Sequence, residues 1–370
     1  MEIIQKGSKR MSFSNITPEG TRDLIFEEYD RIKSLEDMLC NNFELLGYLP
    51  IKTPTIEFYD LFDIENRYIT QESMLKTNDL SGRILVLRPD STAPIARAVS
   101  TKLKNEDKLK IYYNQTIFCQ HPNYRAMNTE EHQCGIEIIG GTLEKADLCA
   151  LMTAFESLKS IGRNFKIEIG HSELLKLLLE DIGLSKDEFQ RIKNSIASLN
   201  TTALDFGSTI DPRALEIART LPTLCGGAEV MKRARALAVG KTKALAILDY
   251  LEKLYNSFAD AGYEDYIMYD MGIVQKIDYY TGIVFKGYIE GIGNAVLSGG
   301  RYDNLYDSYG KSRIACGFTV NISAVAEKGK VIKRTQAKKI PFSLDAGSVV
   351  NITTEIEKAR NGSYSLDIEI

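Results

Sequence analysis

The residues of this 370-residue chain with which chemistry would most readily begin are its three histidines, its six cysteines and two glycine-bearing turns. His121, His132 and His171 form no H-x-x-x-H and no Cys/His cluster at ligand spacing, so no metal site is expected. Cys40, Cys119, Cys134, Cys149, Cys225 and Cys316 contain no C-x-x-C pair, and the N-terminus MEIIQKGSKRMSFS is too polar for a signal peptide. Both features predict a reduced, cytoplasmic setting. Gly240-Lys241-Thr242 ends like a phosphate-binding loop, but Arg235 stands where that loop needs its first glycine, and a turn between helices is the expectation. Gly291-Ile292-Gly293 lacks the third glycine of a dinucleotide fingerprint and precedes a strand-like stretch, which predicts a hairpin turn. There is no G-x-S-x-G elbow. No cofactor is expected.

Around these residues the chain reads as a soluble globular protein of about two domains, 44% apolar and 26% charged. With 46 Lys and Arg against 50 Asp and Glu the net charge is -4, which argues against a broad nucleic-acid-binding surface and leaves room for a local basic groove. No apolar run approaches the ~18 residues of a membrane span. From Thr21 to Gly47, Leu24, Ile25, Ile32, Leu35, Leu39, Phe43 and Leu46 recur mostly at helical intervals, predicting a long amphipathic helix opened by Thr21 and Asp23. A short strand is expected over 84–88, then a helix capped by Ser91 with Pro94 in its first turn. Strands follow over 110–119, 135–139 and 165–169, with a helix over 145–159.

Residues 172–262 read as helical nearly throughout, without a convincing strand, and are taken as an insertion. Strands resume over 266–271, 282–289, 295–297 and 314–320, and their succession without helices predicts an antiparallel sheet. The tail begins with six basic residues in twelve (KGKVIKRTQAKK). It then alternates in GSVVNIT and SYSLDIEI around Asn361-Gly362, which predicts a basic linker and a small hairpin. The division expected is a core of 1–171 and 263–327, an insertion of 172–262, and a linker with a small β segment over 328–370.

Five segments then carry a resemblance: TPEGTRDL at 17–24, LVLRPDST at 85–92, HQCGIEIIG at 132–140, DYYTGIVF at 278–285 and SGGRYDN at 298–304. In this order, over residues 15 to 325, they resemble histidyl-tRNA synthetase. The resemblance implies an α+β fold of the class II aminoacyl-tRNA synthetase type, an antiparallel sheet flanked by helices with a helical insertion. It also implies dimerisation through the first motif, near Gly47 to Glu57. The implied histidine-binding residues are Asp90 and Thr92 for the α-ammonium, Glu137 and Tyr280 toward the ring, Gln133 and Gln275 as neutral amide donors for the carboxylate, with Gln275 at the position of the family's arginine, and Tyr279 in the pocket wall with Gly299, Gly300 and Arg301. Taken singly, Arg301 reads as a structural ion-pair partner and His132 as a core histidine. Glu137 enters this reading as a charged partner of the ring, so Glu137→Gln is expected to weaken histidine binding.

The departures decide the implied function. The family's F-R-x-E becomes Phe118-Cys119-Gln120-His121, Met127 and Thr129 stand where the next loop has arginines, and the third motif's arginine is Ala324. Adenylate formation depends on positioning and charge neutralisation by such arginines. Losing several charge-assisted contacts of about 1.5 to 3 kcal/mol each removes at least ~5 kcal/mol, three or more decades in rate. No catalytic residue is therefore expected. The 43 residues after 327 are also too few for the family's anticodon-binding domain of about a hundred residues. A chain that keeps the amino-acid pocket, loses the ATP-binding arginines and lacks that domain resembles the regulatory subunits of ATP phosphoribosyltransferase. That implies a non-catalytic partner of a short-form catalytic subunit in the first step of histidine biosynthesis, with histidine as feedback effector and a homodimer inside a larger hetero-oligomer. It implies no nucleic acid and no membrane. The alternatives are an active histidyl-tRNA synthetase of unusual type and a synthetase-like binding module in translation control.

Overall fold

The computed structural model describes residues 14–62, 69–120, 128–162, 164–200, 210–274, 280–328, 338–343 and 364–369. The first helix, α1 (Phe26–Leu45), starts later than its apolar spacing suggests, because Thr21 is spent on a turn, its hydroxyl bonded back to the Pro18 carbonyl at 2.8 Å. Ile32, Leu35, Leu39 and Phe43 form its buried stripe. There follow β1 (Leu49–Pro50), β2 (Ile56–Phe58), β3 (Lys76–Asn78), β4 (Ile84–Leu87), α2 (Thr92–Lys102), β5 (Leu109–Phe118), β6 (Glu130–Ile139), α3 (Leu143–Ile161) and β7 (Phe165–His171).

The stretch expected to be helical carries α4 (Leu174–Leu179), α5 (Lys186–Ala197), α6 (Pro212–Thr220), α7 (Glu229–Leu237) and α8 (Thr242–Ala259). It also holds a two-residue strand, β8 (Cys225–Gly226), that sequence periodicity is too short to reveal. Gly240, at φ +79°, makes the turn between α7 and α8, as its neighbours' helical composition implies. The chain then returns through β9 (Ile267–Asp270), β10 (Ile283–Ile289), β11 (Leu297–Arg301), α9 (Asn304–Asp307), β12 (Ala315–Asn321) and α10 (Ile322–Lys328).

Nine strands form one sheet in the order β1-β5-β6-β12-β11-β10-β7-β9-β8, and β2-β4-β3 form a small second sheet. The long sheet is antiparallel except for β1 with β5 and β7 with β9. This is the mixed α/β arrangement, a large sheet flanked by helices, that the class II synthetase-like reading requires. Gly291 and Gly293 lie in the turn joining the antiparallel pair β10 and β11. In the tail β13 (Lys338–Ser343) pairs in parallel with β14 (Tyr364–Glu369). The GSVVNIT segment and the Asn361-Gly362 turn lie outside the described residues.

The two faces of the long sheet differ. One is apolar: Cys134, Ile136, Ile138, Ile167, Ile169, Phe285, Phe318 and Val320 pack into the main core with the buried stripes of α1, α3 and α8. On the other, Ile111, Tyr113, Ile139 and Ala315 are covered at one end by Ile95, Ala96 and Val99 of α2 and Tyr306 of α9. Beyond that end the second face is polar and half-buried. No helix among the described residues is long and apolar enough to cross a membrane.

Candidate functional site

Strand alternation puts Glu131, Gln133, Gly135, Glu137 and Ile139 of β6 on the second face. Register sets Gly317 opposite Glu137, Thr319 opposite Gly135 and Asn321 opposite Gln133 on β12, and Tyr113 opposite Gly135 on β5. Gly300 of β11 lies next to Gly317. The centre of this face is therefore floored by glycines with large side chains laid across them. A Cβ at Gly317 would collide with the Glu137 carboxyl, and one at Gly300 would come within 2.7 Å of the Tyr280 ring. The Tyr113 hydroxyl crosses Gly135 in the same way.

Glu137 is the centre of the arrangement. It is 2% exposed, its Oε1 accepts the Thr92 hydroxyl at 2.9 Å, and its Oε2 is buried without a hydrogen-bond partner among the described residues. Burial pushes its carboxyl well above the usual range, the Thr92 bond works against that rise, and nearby Asp90 adds to it. Asp90 ends the loop before α2, where its Oδ1 accepts the Ala93 amide at 2.8 Å. It, rather than the expected Ser91, caps this helix: Ser91 takes an αR backbone and its side chain makes no cap bond. A carboxylate at this position also meets the positive end of the helix dipole.

Gln133 is bound on both sides by the protein, its Oε1 accepting Thr319 at 3.2 Å and its Nε2 donating to Glu131 at 3.5 Å. Glu131 also accepts from Asn321 at 3.0 Å, and Asn321 in turn caps α10 by accepting the Ala324 amide at 2.9 Å. So where a synthetase carries its third-motif arginine, Ala324 stands in the first turn of a short helix. The bonded set beside it, Glu131, Gln133, Thr319 and Asn321, contains a carboxylate and no cation. At another of the arginine positions, Cys119 lies half-buried beside Ser73, its thiol pushed up by burial.

Of the residues implied by the resemblance, the structure brings together Asp90, Thr92, Gln133, Glu137 and Tyr280 on this face. Gln275 and Tyr279 lie outside the described residues, as does Met127. Gly300 belongs to the floor, whereas Arg301 points to the opposite face and forms a buried ion pair with Asp147 of α3, which is the structural role its residue type suggests on its own. His132 is half-buried beside Glu36, with Nδ1 at 3.4 Å from that carboxylate. Tyr113 and Tyr306 escape a reading by motif. Both are electrostatically coupled to Glu137, and both come from elements whose register with β6 no local pattern discloses. Tyr280 also borders a cavity of about 690 Å³ whose far wall is Leu175, Leu179, Phe189 and Lys193. Among the described residues the arrangement presents no cluster of cations for polyphosphate.

The family model for histidyl-tRNA synthetase matches residues 20–325. Among curated relatives, an ATP phosphoribosyltransferase regulatory subunit of Clostridium kluyveri is 38% identical over 83% of this chain and 80% of its own length. One of Clostridium acetobutylicum is 37% identical over 95% and 87%. A crystal structure of an ATP phosphoribosyltransferase regulatory subunit/histidyl-tRNA synthetase from Bacillus halodurans superposes with a TM-score of 0.83 at 28% identity, covering 97% of this chain and 94% of that one. Histidyl-tRNA synthetase of Nostoc, 17% identical with a TM-score of 0.79 over 98% of this chain and 86% of its own, shares the fold.

Proposed function

This chain belongs to the histidyl-tRNA synthetase-like family of ATP phosphoribosyltransferase regulatory subunits, and from that premise we propose that it activates a short-form catalytic subunit and relays feedback from histidine bound at Glu137. It is a non-catalytic subunit of the enzyme. The partner joins ATP and phosphoribosyl pyrophosphate in the first step of histidine biosynthesis, and this chain works as a homodimer inside the hetero-oligomer.

The observation that carries the histidine reading is the orphaned Glu137 Oε2. A buried polar atom without a partner costs about 1–3 kcal/mol, a cost that a ligand atom removes. Asp90 supplies a carboxylate for an α-ammonium, and the Tyr280 ring supplies a flat wall for an aromatic ring. The displaced arginines support the loss of adenylate chemistry, since Cys119 and Ala324 offer a phosphate no charge-assisted bond. Co-purification with a short-form phosphoribosyltransferase tests the proposal. Transferase activity is expected only in the mixture and is expected to fall on adding histidine, while the isolated chain is expected to show no histidine-dependent exchange of pyrophosphate into ATP. Robust exchange would return the chain to the synthetases.

A further inference from the structure

We infer that Glu137 meets its ligand as a neutral carboxylic acid whose proton, carried on Oε2, is donated to an acceptor atom, so that the site selects an uncharged ring with a lone-pair nitrogen and turns away its protonated form. This rests on the proposed histidine site and adds the charge state of both partners. Geometry divides the two oxygens of the carboxyl. Oε1 already accepts the Thr92 hydroxyl, as a carbonyl oxygen does, and Oε2, which lies over the Gly317 floor, receives no hydrogen bond among the described residues.

An ionised carboxylate would leave Oε2 buried with charge and no donor, the costly state in a protein interior. Among the described residues the surroundings offer no compensation. The titratable groups acting on or coupled to Glu137 are Asp90 before α2, Tyr113 of β5, Tyr280, Tyr306 of α9 and Cys316 of β12. One of these is a carboxylate, and in none is a positive charge available. Burial raises the carboxyl of Glu137 in the same direction. A protonated carboxyl can donate through Oε2 to the bare nitrogen of a neutral imidazole. Whether the proton then stays on oxygen or crosses to nitrogen, the pair holds the same number of protons as the separated partners, and none is drawn from solvent.

The inference revises the expectation for Glu137→Gln. A glutamine amide keeps one acceptor for Thr92 and one N–H donor for the ligand, which matches the acid and not the carboxylate. Calorimetric titration of the full complex with L-histidine at pH 7.5 should therefore give an affinity for Glu137→Gln within about threefold of wild type, and a loss of about tenfold or more for Glu137→Ala. An equal large loss in both variants overturns the neutral-acid inference but keeps histidine at Glu137. No loss in either variant, or no binding to the wild-type complex, overturns the histidine site itself. A second measurement needs neither ligand nor affinity: the infrared difference between wild type and Glu137→Gln at pH 7 should contain the carbonyl band of a protonated carboxylic acid. A carboxylate band in its place overturns the inference even if the variants bind nothing.

Discussion

At the scale of single residues, the two faces of the sheet hold ionisable groups in different ways. His171, at the end of β7, has its Nδ1 accepting the Glu173 amide at 3.2 Å, which fixes a neutral ring. Burial, with Arg301 adding to it, pushes its pKa down to about 4. In the unfolded chain the ring titrates near 6.5. Acid therefore adds a proton to the unfolded state first, and the stability held by the neutral ring above about pH 6.5 is lost as pH falls toward 4. Between pH 7.5 and pH 5 this amounts to about 2 kcal/mol. Glu137, Glu168 and Asp270, all shifted upward by burial, act with the opposite sign, so the comparison must be made against a variant. Urea unfolding of wild type and His171→Asn at both pH values should show the wild type losing more on acidification by that amount; parallel losses would remove His171 as the cause. The residue types of the candidate site were legible from motif order alone. What motif order could not convey was the partnering of each atom, and it is the missing partner at Oε2, not the presence of a glutamate, that changes what Glu137→Gln should do.

Secondary-structure elements are tied together by a few buried polar contacts, and Asp147 on α3 is the principal one. It receives Arg301 of β11 through two guanidinium nitrogens, Nε and Nη2, and the Tyr250 hydroxyl of α8 at 2.6 Å. A single carboxylate with no exposed surface thus joins the sheet, the helix behind it and the last helix of the 172–262 segment. Asp147→Ala leaves Arg301 buried and unpaired, and a loss of about 3–5 kcal/mol in unfolding free energy is expected. Tyr250→Phe removes one charge-assisted bond and should cost about 1.5–3 kcal/mol. Equilibrium denaturation of the two variants checks the order; a Tyr250→Phe loss as large as that of Asp147→Ala would contradict the ion pair's dominance. Periodicity found the long helices and nearly every strand of the large sheet, because each buries one face. Helix ends were less legible: Thr21 and Ser91 have the right chemistry for caps, but a turn claims one and the backbone of the other is already helical.

For the whole molecule, the small sheet shows a strand turned outward. Along β2 the buried residue is Glu57, bonded to Arg97 of α2 at 2.7 Å, while Ile56 and Phe58 on either side are 50% and 46% exposed. Leu49 on the edge strand β1 is 65% exposed, and Ile84 on β4 is also exposed. An edge strand beside exposed apolar side chains invites a second copy, in keeping with the proposed homodimer. Light scattering at micromolar concentration should give a dimer for the wild type and a monomer for the pair Leu49→Asp with Ile56→Asp; a monomeric wild type would discard the proposal. By itself the amino-acid sequence determined the class of fold, the position of most elements and the loss of the ATP-binding arginines, because each is written in local spacing or in the identity of one residue. The tertiary structure alone decided which strands are neighbours and in what register. It thereby placed Gly317 under Glu137, Tyr113 over Gly135 and Arg301 on the far face, and it paired the two tail strands in parallel. Register and burial arise from contacts between segments far apart in the chain, and no local pattern encodes them.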